Sequence, residues 1–442
     1  MTGAERDGAA VDVVVIGGGL AGLACAHGAV RAGRSVHLVE ADDAVGGRAR
    51  TDWREGRPVD RGFQALFRAY PAAAAFVRQI GLPRRDLRPF ARGVQVWDGA
   101  RWLALTLSPR GIVRFPGLSV GEAARLGRLA AEVALRPPQI LLEEEIPEPT
   151  TEAYLRALGF GDRAIETLFR PLFGAIFLDR TLGADPGYFR FLLAMMARGP
   201  AVLPSDGVGM IAEWAAAAVR QAGGTVETEA PVEALEADGA RVAAVRLADG
   251  RRLRARHVVL AADAPAARRL LEPVDPASAA RLPDRPATAL TAAYLLRRPL
   301  YRGRYVLLNA APDPASGPRV DLVCQTSNVT RPGAPAGPAV LLATTVTTGR
   351  AGDGAGLPGA VAELVGAWSP GYPWSEAAEL VGVHEHPFAQ FRPLAGVRRE
   401  LPGPRTAADN LILAGELTRH PSLEGAVASG ARAAQIVDAL IP

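Results

Sequence analysis

The sequence contains no lysine, because all 50 of its basic residues are arginine. Any mechanism that needs a lysine amine, whether a Schiff base, a P-loop or a proton relay, is therefore excluded. Cysteine is almost as scarce. Cys25 and Cys324 lie far apart, and neither belongs to a Cys-x-x-Cys pair. This spacing supports neither a redox dithiol nor a zinc site, and we expect no bound metal.

Long apolar runs and a strong net charge are also missing. Residues 332–349 carry no charge but are rich in Gly, Pro and Thr, so no transmembrane helix is predicted. The first ten residues are polar and include acids, unlike a secretory signal, and we expect a cytoplasmic protein. The formal charge is only +4 over 442 residues, without a basic and aromatic run, which argues against nucleic-acid binding.

The bulk composition is that of a globular protein, with 49% hydrophobic and 22% charged residues. Its length suggests two or three domains. The N-terminal segment "VDVVVI", at 11–16, is a β-branched apolar run that predicts a buried parallel strand. A small-residue helix follows it, and then a second strand, "SVHLVE", that ends in Glu40. The chain therefore opens with a βαβ unit.

A glycine-rich turn, with the pattern Gly-x-Gly-x-x-Gly, connects the first strand to the helix. It comprises Gly17, Gly18, Gly19, Leu20, Ala21 and Gly22. Gly17 permits the tight turn, Gly19 lets the backbone approach a pyrophosphate, and Gly22 lets the helix pack closely on its strand. The helix N-terminus offers free amides to phosphate. Glu40 stands where a ribose diol would be held, which favours FAD or NAD over NADP.

The following segment decides between the two nucleotides. The stretch "VVVIGGGLAGLACAHGAVRAGRSVHLVEADDAVGGRART" resembles the FAD-binding signature of the flavin-containing amine oxidase, phytoene desaturase and protoporphyrinogen oxidase superfamily. The resemblance implies FAD as the cofactor, with Gly46 and Gly47 preceding an arginine, Arg48, that contacts FAD phosphate. A guanidinium group suits this role because it binds phosphate oxygens in a fork.

Three later segments extend the resemblance. "VDRGFQALF" resembles the segment that passes the isoalloxazine ring, with Gly62 and Phe63, and Val232 matches the residue whose backbone clasps the adenine. "LILAGELTRHPSLEGAVASG" is similar to the closing FAD motif. It implies that Gly415 and Glu416 lie near the ribityl and pyrophosphate. It also implies that the N-terminus of the next helix meets the flavin pyrimidine edge through Glu424, Gly425 and Ala426.

These patterns predict an α/β protein with a Rossmann-like FAD-binding domain of the glutathione-reductase type, interleaved with an α+β substrate domain. We assign 1–64, 205–272 and 396–442 to the FAD-binding domain. The substrate domain comprises 65–204 and 273–395, as a mainly helical insert from 65 to about 198 plus an antiparallel sheet. Monomer and homodimer are both left open.

The substrate pocket is less clearly marked in the sequence. A strand candidate precedes the closing motif. The resemblance suggests that it lines the substrate cavity with His386, Phe388 and Phe391, and the alternative is an ordinary core strand. The Phe-rich stretch 169–196 indicates either a core helix pair or a lipid-facing or substrate-gating surface. Peripheral membrane contact is accordingly left open.

Three functions from different classes are compatible with these features. The favoured one is an FAD-dependent oxidoreductase that takes a hydride from a C–H or C–N bond of an apolar small molecule, such as an isoprenoid-like compound or a secondary metabolite. Amine oxidases of the superfamily commonly use a lysine near the flavin, so its absence favours desaturase-like dehydrogenation. The alternatives are a flavin-dependent non-redox isomerase or cyclase, and a non-catalytic prenyl-binding protein of the same fold.

Overall fold

The computed structural model describes residues 10–314, 318–330, 337–347 and 353–441. Its strands are β1 (Val11–Ile16), β2 (Val36–Val39), β3 (Thr51–Arg54), β4 (Arg57–Asp60), β5 (Leu66–Phe67), β6 (Leu87–Pro89), β7 (Gly93–Trp97), β8 (Trp102–Thr106), β9 (Ala201–Pro204), β10 (Thr225–Glu227), β11 (Val232–Asp238), β12 (Arg241–Leu247), β13 (Arg252–Leu253), β14 (Ala255–Leu260), β15 (Pro286–Leu296), β16 (Leu307–Asn309), β17 (Leu322–Cys324), β18 (Ala339–Thr347), β19 (Ala378–Phe391) and β20 (Leu411–Leu413).

Its helices are α1 (Leu20–Arg31), α2 (Pro71–Gln79), α3 (Pro109–Arg114), α4 (Val120–Leu135), α5 (Pro138–Glu143), α6 (Thr151–Ala157), α7 (Asp162–Ala164), α8 (Arg170–Phe177), α9 (Pro186–Arg198), α10 (Met210–Gln221), α11 (Ala264–Leu271), α12 (Pro276–Ala280), α13 (Ser327–Thr330), α14 (Leu357–Trp368), α15 (Trp374–Ala377), α16 (Val397–Glu400) and α17 (Leu423–Leu440). A π-helical turn over Ile165–Phe169 joins α7 to α8.

A five-stranded parallel sheet forms the first layer, in the order β10-β2-β1-β14-β20. Both of its faces are covered, which explains the unbroken apolar run of β1. Val13 and Val15 belong to the core that includes α1, α10 and α17, whereas Val14 and Ile16 pack with β11, β12 and α11. The predicted α/β class is confirmed. All five strands come from the three stretches assigned to the FAD-binding domain.

A seven-stranded sheet, in the order β19-β15-β18-β17-β16-β7-β8, forms the second large layer. It is antiparallel except where β16 pairs with β7. One of its faces packs on α14 through Leu357, Val361 and Val365. The antiparallel sheet was predicted, and 65–198 is mainly helical as expected, but β7 and β8 also lie there and were not predicted. Their alternating residues around the turn at Asp98-Gly99 are a hairpin signal.

The Phe-rich stretch is part of the core. Phe169, Phe173, Phe177, Phe189 and Phe191 are each at most 2% exposed. Phe173 and Phe189 meet edge to face with ring centroids 4.6 Å apart, which ties α8 to α9. The lipid-facing alternative is therefore wrong for these side chains. Within the described residues, no helix combines the length and the apolar character needed to cross a membrane.

A buried carboxylate, Asp60, ends β4. It accepts hydrogen bonds from Thr51 Oγ1 at 2.5 Å and from the Val208 amide at 2.9 Å. Within the described residues, no arginine forms an ion pair with Asp60, and burial raises the pKa of Asp60 to about 6. This value exceeds the pKa of about 3.9 for an unfolded aspartate, so the native state binds the extra proton.

The free energy of unfolding therefore depends on pH. The charge on Asp60 lowers it by on the order of 3 kcal/mol as pH rises from about 4 to about 6, and the loss does not grow above that range.

The Asp60→Asn variant keeps an acceptor oxygen and removes the charge. We expect it to be about 1–2 kcal/mol more stable than the wild type at pH 7. Urea unfolding should show this gain shrinking at pH 4. An equal gain at both pH values would contradict the assignment.

Candidate active site

The glycine-rich turn between β1 and α1 is shaped by three glycines. Gly17 has a φ of +105°, and a Cβ there would lie 2.7 Å from the Ala261 carbonyl oxygen. A Cβ on Gly22 would lie 1.9 Å from the Gly17 carbonyl oxygen, so Gly22 permits the close packing of α1. A Cβ on Gly19 would meet nothing within 4 Å. Gly17 and Gly22 are therefore required by the backbone packing, whereas Gly19 borders open space.

The N-terminus of α1 has free donors. Gly19 is its N-cap, and no side chain accepts a hydrogen bond there. The first amides of a helix have no acceptor within the helix and carry partial positive charge, which favours an anion. Glu40 holds the preceding turn, because its carboxylate accepts from the amides of Gly18 at 2.6 Å and Asp42 at 2.9 Å.

Arg48 and Glu416 form an ion pair between distant parts of the chain. Arg48 Nη1 donates to Glu416 Oε1 and to the Ala389 carbonyl, both at 2.7 Å. Arg48 Nε and Nη2 donate to no described residue, and the side chain is about one-third exposed. Burial opposes its charge, but the neighbouring Glu416 carboxylate raises the pKa of Arg48. Arg48 therefore stays cationic, with donors left for a second anion.

The N-terminus of α17 differs from the expectation. Ser422 caps the helix by accepting a hydrogen bond from the Gly425 amide at 2.9 Å. Glu424 points away and accepts from the amides of Ala72 and Ala73, at 2.9 and 2.8 Å, at the start of α2. A carboxylate is stabilised at that helix N-terminus by the free amides and the helix dipole. Glu424 thus joins two helices.

A single cavity of about 960 Å³ connects these groups with the seven-stranded sheet. One end lies against the glycine-rich turn, Glu40 and Arg48. The other end has the free face of the sheet as its floor, including Leu308 and Leu322, and helices α8 and α9 opposite. The arrangement joins a polar, anion-accepting end to a mainly apolar one.

Most of the predicted site residues line this cavity. They are Gly17, Gly19, Leu20, Ala21, Glu40, Gly46, Gly47, Arg48, Gly62, Phe63, Val232, His386, Phe388, Gly415, Glu416 and Ala426. Four are not among the lining residues: Gly22, Glu424, Gly425 and Phe391. Gly22 lies beneath the turn, as expected of its packing role. Phe391 is only 2% exposed and belongs to the core, so the expectation that it lines the pocket is wrong.

His386 lines the cavity beside Gly62. Its Nε2 is 3.2 Å from the Arg61 carbonyl, which can only accept, so Nε2 carries the hydrogen. A Cβ on Gly62 would be 3.3 Å from the same nitrogen, so the ring packs directly on this backbone. Burial lowers the pKa of His386. At neutral pH the ring is therefore uncharged and keeps Nδ1 as an acceptor.

Several lining residues were missed by the sequence reasoning. Thr291, Thr344, Leu308 and Leu322 line the floor of the cavity from four neighbouring strands. An antiparallel sheet was predicted in this part of the chain, but which face of each strand meets the cavity depends on pairing between distant segments. Tyr188 of α9, which donates a hydrogen bond to the Pro421 carbonyl at 2.6 Å, was also missed, because its place depends on how α9 packs on a distant part of the chain.

The residues present fit a dinucleotide. The open space at Gly19, the uncapped amides of α1 and the spare donors of Arg48 together meet the needs of a pyrophosphate. Val232, with Arg269 donating to its carbonyl at 3.2 Å, borders the same end of the cavity. This is the end at which the resemblance places the adenine.

Comparisons with known proteins agree with this geometry. The family described as flavin containing amine oxidoreductase matches residues 20–438. A coproporphyrinogen III oxidase of Propionibacterium freudenreichii is 26% identical over 342 residues, covering 63% of this chain and 62% of the relative. A hydroxyneurosporene desaturase of Cereibacter sphaeroides is 31% identical over 287 residues, covering 57% of this chain and 56% of the relative. The chain thus spans less than two thirds of the length of these curated relatives.

Solved structures share the fold over almost the whole chain. The crystal structure of an oxidoreductase from Methanosarcina mazei superimposes with a TM-score of 0.75 at 17% identity, covering 96% of this chain and all of the other. At that identity the likeness concerns the fold alone.

Proposed function

Because the chain belongs to the flavin-containing amine oxidoreductase family, we propose that it dehydrogenates an elongated, mainly apolar small molecule. That it is an FAD-dependent oxidoreductase follows from the family. The substrate class is our proposal, and one observation carries it. The cavity that begins at the glycine-rich turn continues without a break over the apolar floor of the seven-stranded sheet.

The end of the cavity at the glycine-rich turn has residues for each part of FAD. We assign the pyrophosphate to the turn at Gly19 and to Arg48, the ribose to Glu40, and the adenine to the backbone at Val232. Glu416 keeps Arg48 in place. FAD held there would supply a two-electron acceptor for a hydride from the substrate, and oxygen or another acceptor would reoxidise it.

The other end of the cavity, over the seven-stranded sheet, is suited to excluding water from a bound substrate. Leu172 and Ile176 of α8 and Met196 of α9 face the cavity together with Leu308 and Leu322 of the floor. Such walls bind hydrocarbon by removing it from water, at about 25 cal/mol per Å² of apolar surface. They position the reacting bond in a dry pocket, where the field of fixed protein dipoles is strong.

Two facts favour a hydrocarbon over an amine. The sequence has no lysine, the residue that amine oxidases of the superfamily commonly place near the flavin. The chain also aligns with a hydroxyneurosporene desaturase over 57% of its length. Membership of a family of oxidoreductases supports neither the non-redox isomerase nor the non-catalytic binding protein.

Anaerobic reduction of the holoenzyme tests the substrate class. The FAD-loaded protein is mixed with a linear isoprenoid hydrocarbon, with benzylamine and putrescine, or with coproporphyrinogen. We expect the visible flavin band to bleach with the isoprenoid alone. Bleaching by the amines and not by the isoprenoid would show that the proposed substrate class is wrong.

A further inference from the structure

A single row of paired residues crosses the cavity floor. In the sheet register His384 of β19 lies opposite Thr291 of β15, and Thr291 opposite Thr344 of β18. Thr344 lies opposite Leu322 of β17, and Leu322 opposite Leu308 of β16. All five residues line the cavity. The floor therefore carries a strip that begins with three polar side chains and ends with two apolar ones.

The five side chains form one strip because directly paired residues of antiparallel strands project from the same face of the sheet. The strip is polar at one end and apolar at the other. Neighbouring strands lie about 4.8 Å apart, so five strands span roughly 19 Å. That is the scale of an elongated molecule lying across the strands. Its polar part would meet β19, β15 and β18, and its hydrocarbon would lie over β17 and β16.

The polar half of the strip has unused hydrogen-bonding capacity. Thr291 Oγ1 and Thr344 Oγ1 lie 3.0 Å apart and are both buried, so one hydroxyl donates to the other. The second hydroxyl keeps a hydrogen to donate, and both oxygens keep lone pairs. The ring nitrogens of His384 hydrogen-bond to no residue in the described ranges. Buried polar groups normally find partners, so a ligand oxygen is the expected partner of the two threonines, with the half-buried His384 beside them.

The charge of this half favours a neutral partner. Burial lowers the pKa of His384, although the Asp52 carboxylate opposes the shift, and Arg61, His386 and Arg54 add to it. Asp52 is already engaged, because Arg61 donates to it through Nε at 2.9 Å and Nη2 at 3.1 Å. The uncharged His384 ring therefore offers one donor and one acceptor.

We propose that His384, Thr291 and Thr344 form a specificity site for a neutral oxygen group, a hydroxyl or a carbonyl, on an otherwise apolar substrate. The adjoining hydrocarbon lies along Leu322 and Leu308. This inference rests on the proposed function, whose substrate class it narrows. The enzyme then prefers an oxygen-bearing chain to the hydrocarbon of the same skeleton.

The test compares two probes that differ by one hydroxyl. Farnesol and the matching hydrocarbon without the hydroxyl are titrated by calorimetry into FAD-loaded protein that has been reduced with dithionite, so that neither probe is oxidised. We expect farnesol to bind about tenfold more tightly than the hydrocarbon to the wild type. In the variant Thr291→Val/Thr344→Val, the two affinities should agree within about twofold.

Thr345→Val is the matched control. Thr345 is also a buried threonine of β18, but it pairs with Leu290 and is not among the cavity-lining residues. This variant should keep the tenfold preference. Equal affinity of the two probes for the wild type, including no measurable binding of either, would overturn the specificity site. So would an equal loss of preference in the control. Failure of the proposed function is seen separately, as a flavin band that no apolar candidate bleaches.

Discussion

The Gly19→Val variant is expected to fold as the wild type does and to lose FAD. Gly19 has a φ of −69° and a ψ of 174°, which any residue adopts, and a Cβ there meets no protein atom within 4 Å. The valine side chain would instead fill the space that we assign to the pyrophosphate. Overpacking of this kind costs on the order of 3 kcal/mol, so FAD affinity should fall about 100-fold or more.

Gly22→Val supplies the contrast for this prediction. Its Cβ would lie 1.9 Å from the Gly17 carbonyl oxygen, so the first strand and helix must separate. We expect this variant to be destabilised by several kcal/mol, or not to fold. Circular dichroism and urea unfolding measure the folding of both variants, and FAD titration measures binding. A folded Gly19→Val protein that binds FAD as the wild type does would contradict the assignment.

Replacement of Arg48 by methionine is expected to have the second-largest effect. It would leave the buried carboxylate of Glu416 without its cation and remove the hydrogen bond to the Ala389 carbonyl. Removal of one partner of a fully buried pair costs about 3–5 kcal/mol. Because Arg48 is about one-third exposed, we expect about 2 kcal/mol in the free protein. FAD affinity should fall as well, since the phosphate contact that we assign to Arg48 would be lost.

A double variant separates the loss of stability from the loss of FAD affinity. Arg48→Met/Glu416→Leu removes both charges, so much of the stability should return while FAD affinity stays low. Arg399→Met is the matched control, since Arg399 pairs with Glu145 on the surface, where both side chains are mostly exposed. Arg399→Met should measurably change neither the free energy of unfolding nor the FAD affinity. Equal losses of stability for Arg48→Met and Arg399→Met would contradict the role of the buried pair.

The parts of the fold that depend on contiguous residues could be predicted. The first strand, the glycine-rich turn and Glu40 lie within one short stretch, and local chemistry determines how each of them is used. The structure places Gly17, Gly19 and Glu40 on one cavity wall. The parallel sheet follows from buried β-branched runs, which are distinctive even in one sequence.

The parts that depend on distant pairing could not be predicted. Glu424 looked like a flavin contact, but α2 lies close enough to bind its carboxylate with two amides. The error at Phe391 has a local cause, because Phe388 and Phe391 lie three residues apart in one strand and so face opposite sides of the sheet, and only Phe388 lines the cavity. The register of β15 against β18 and β19 sets which threonines meet the cavity. A one-residue shift of that register would turn them to the other face.

The crystal structure of the FAD complex tests the central claim most directly, namely that one cavity holds the cofactor at the glycine-rich turn and leaves the sheet floor for an apolar substrate. We predict density for the pyrophosphate beside Gly19 and the N-terminus of α1, with Leu308 and Leu322 still uncovered. Pyrophosphate density elsewhere, or a flavin ring that covers the floor, would contradict the account.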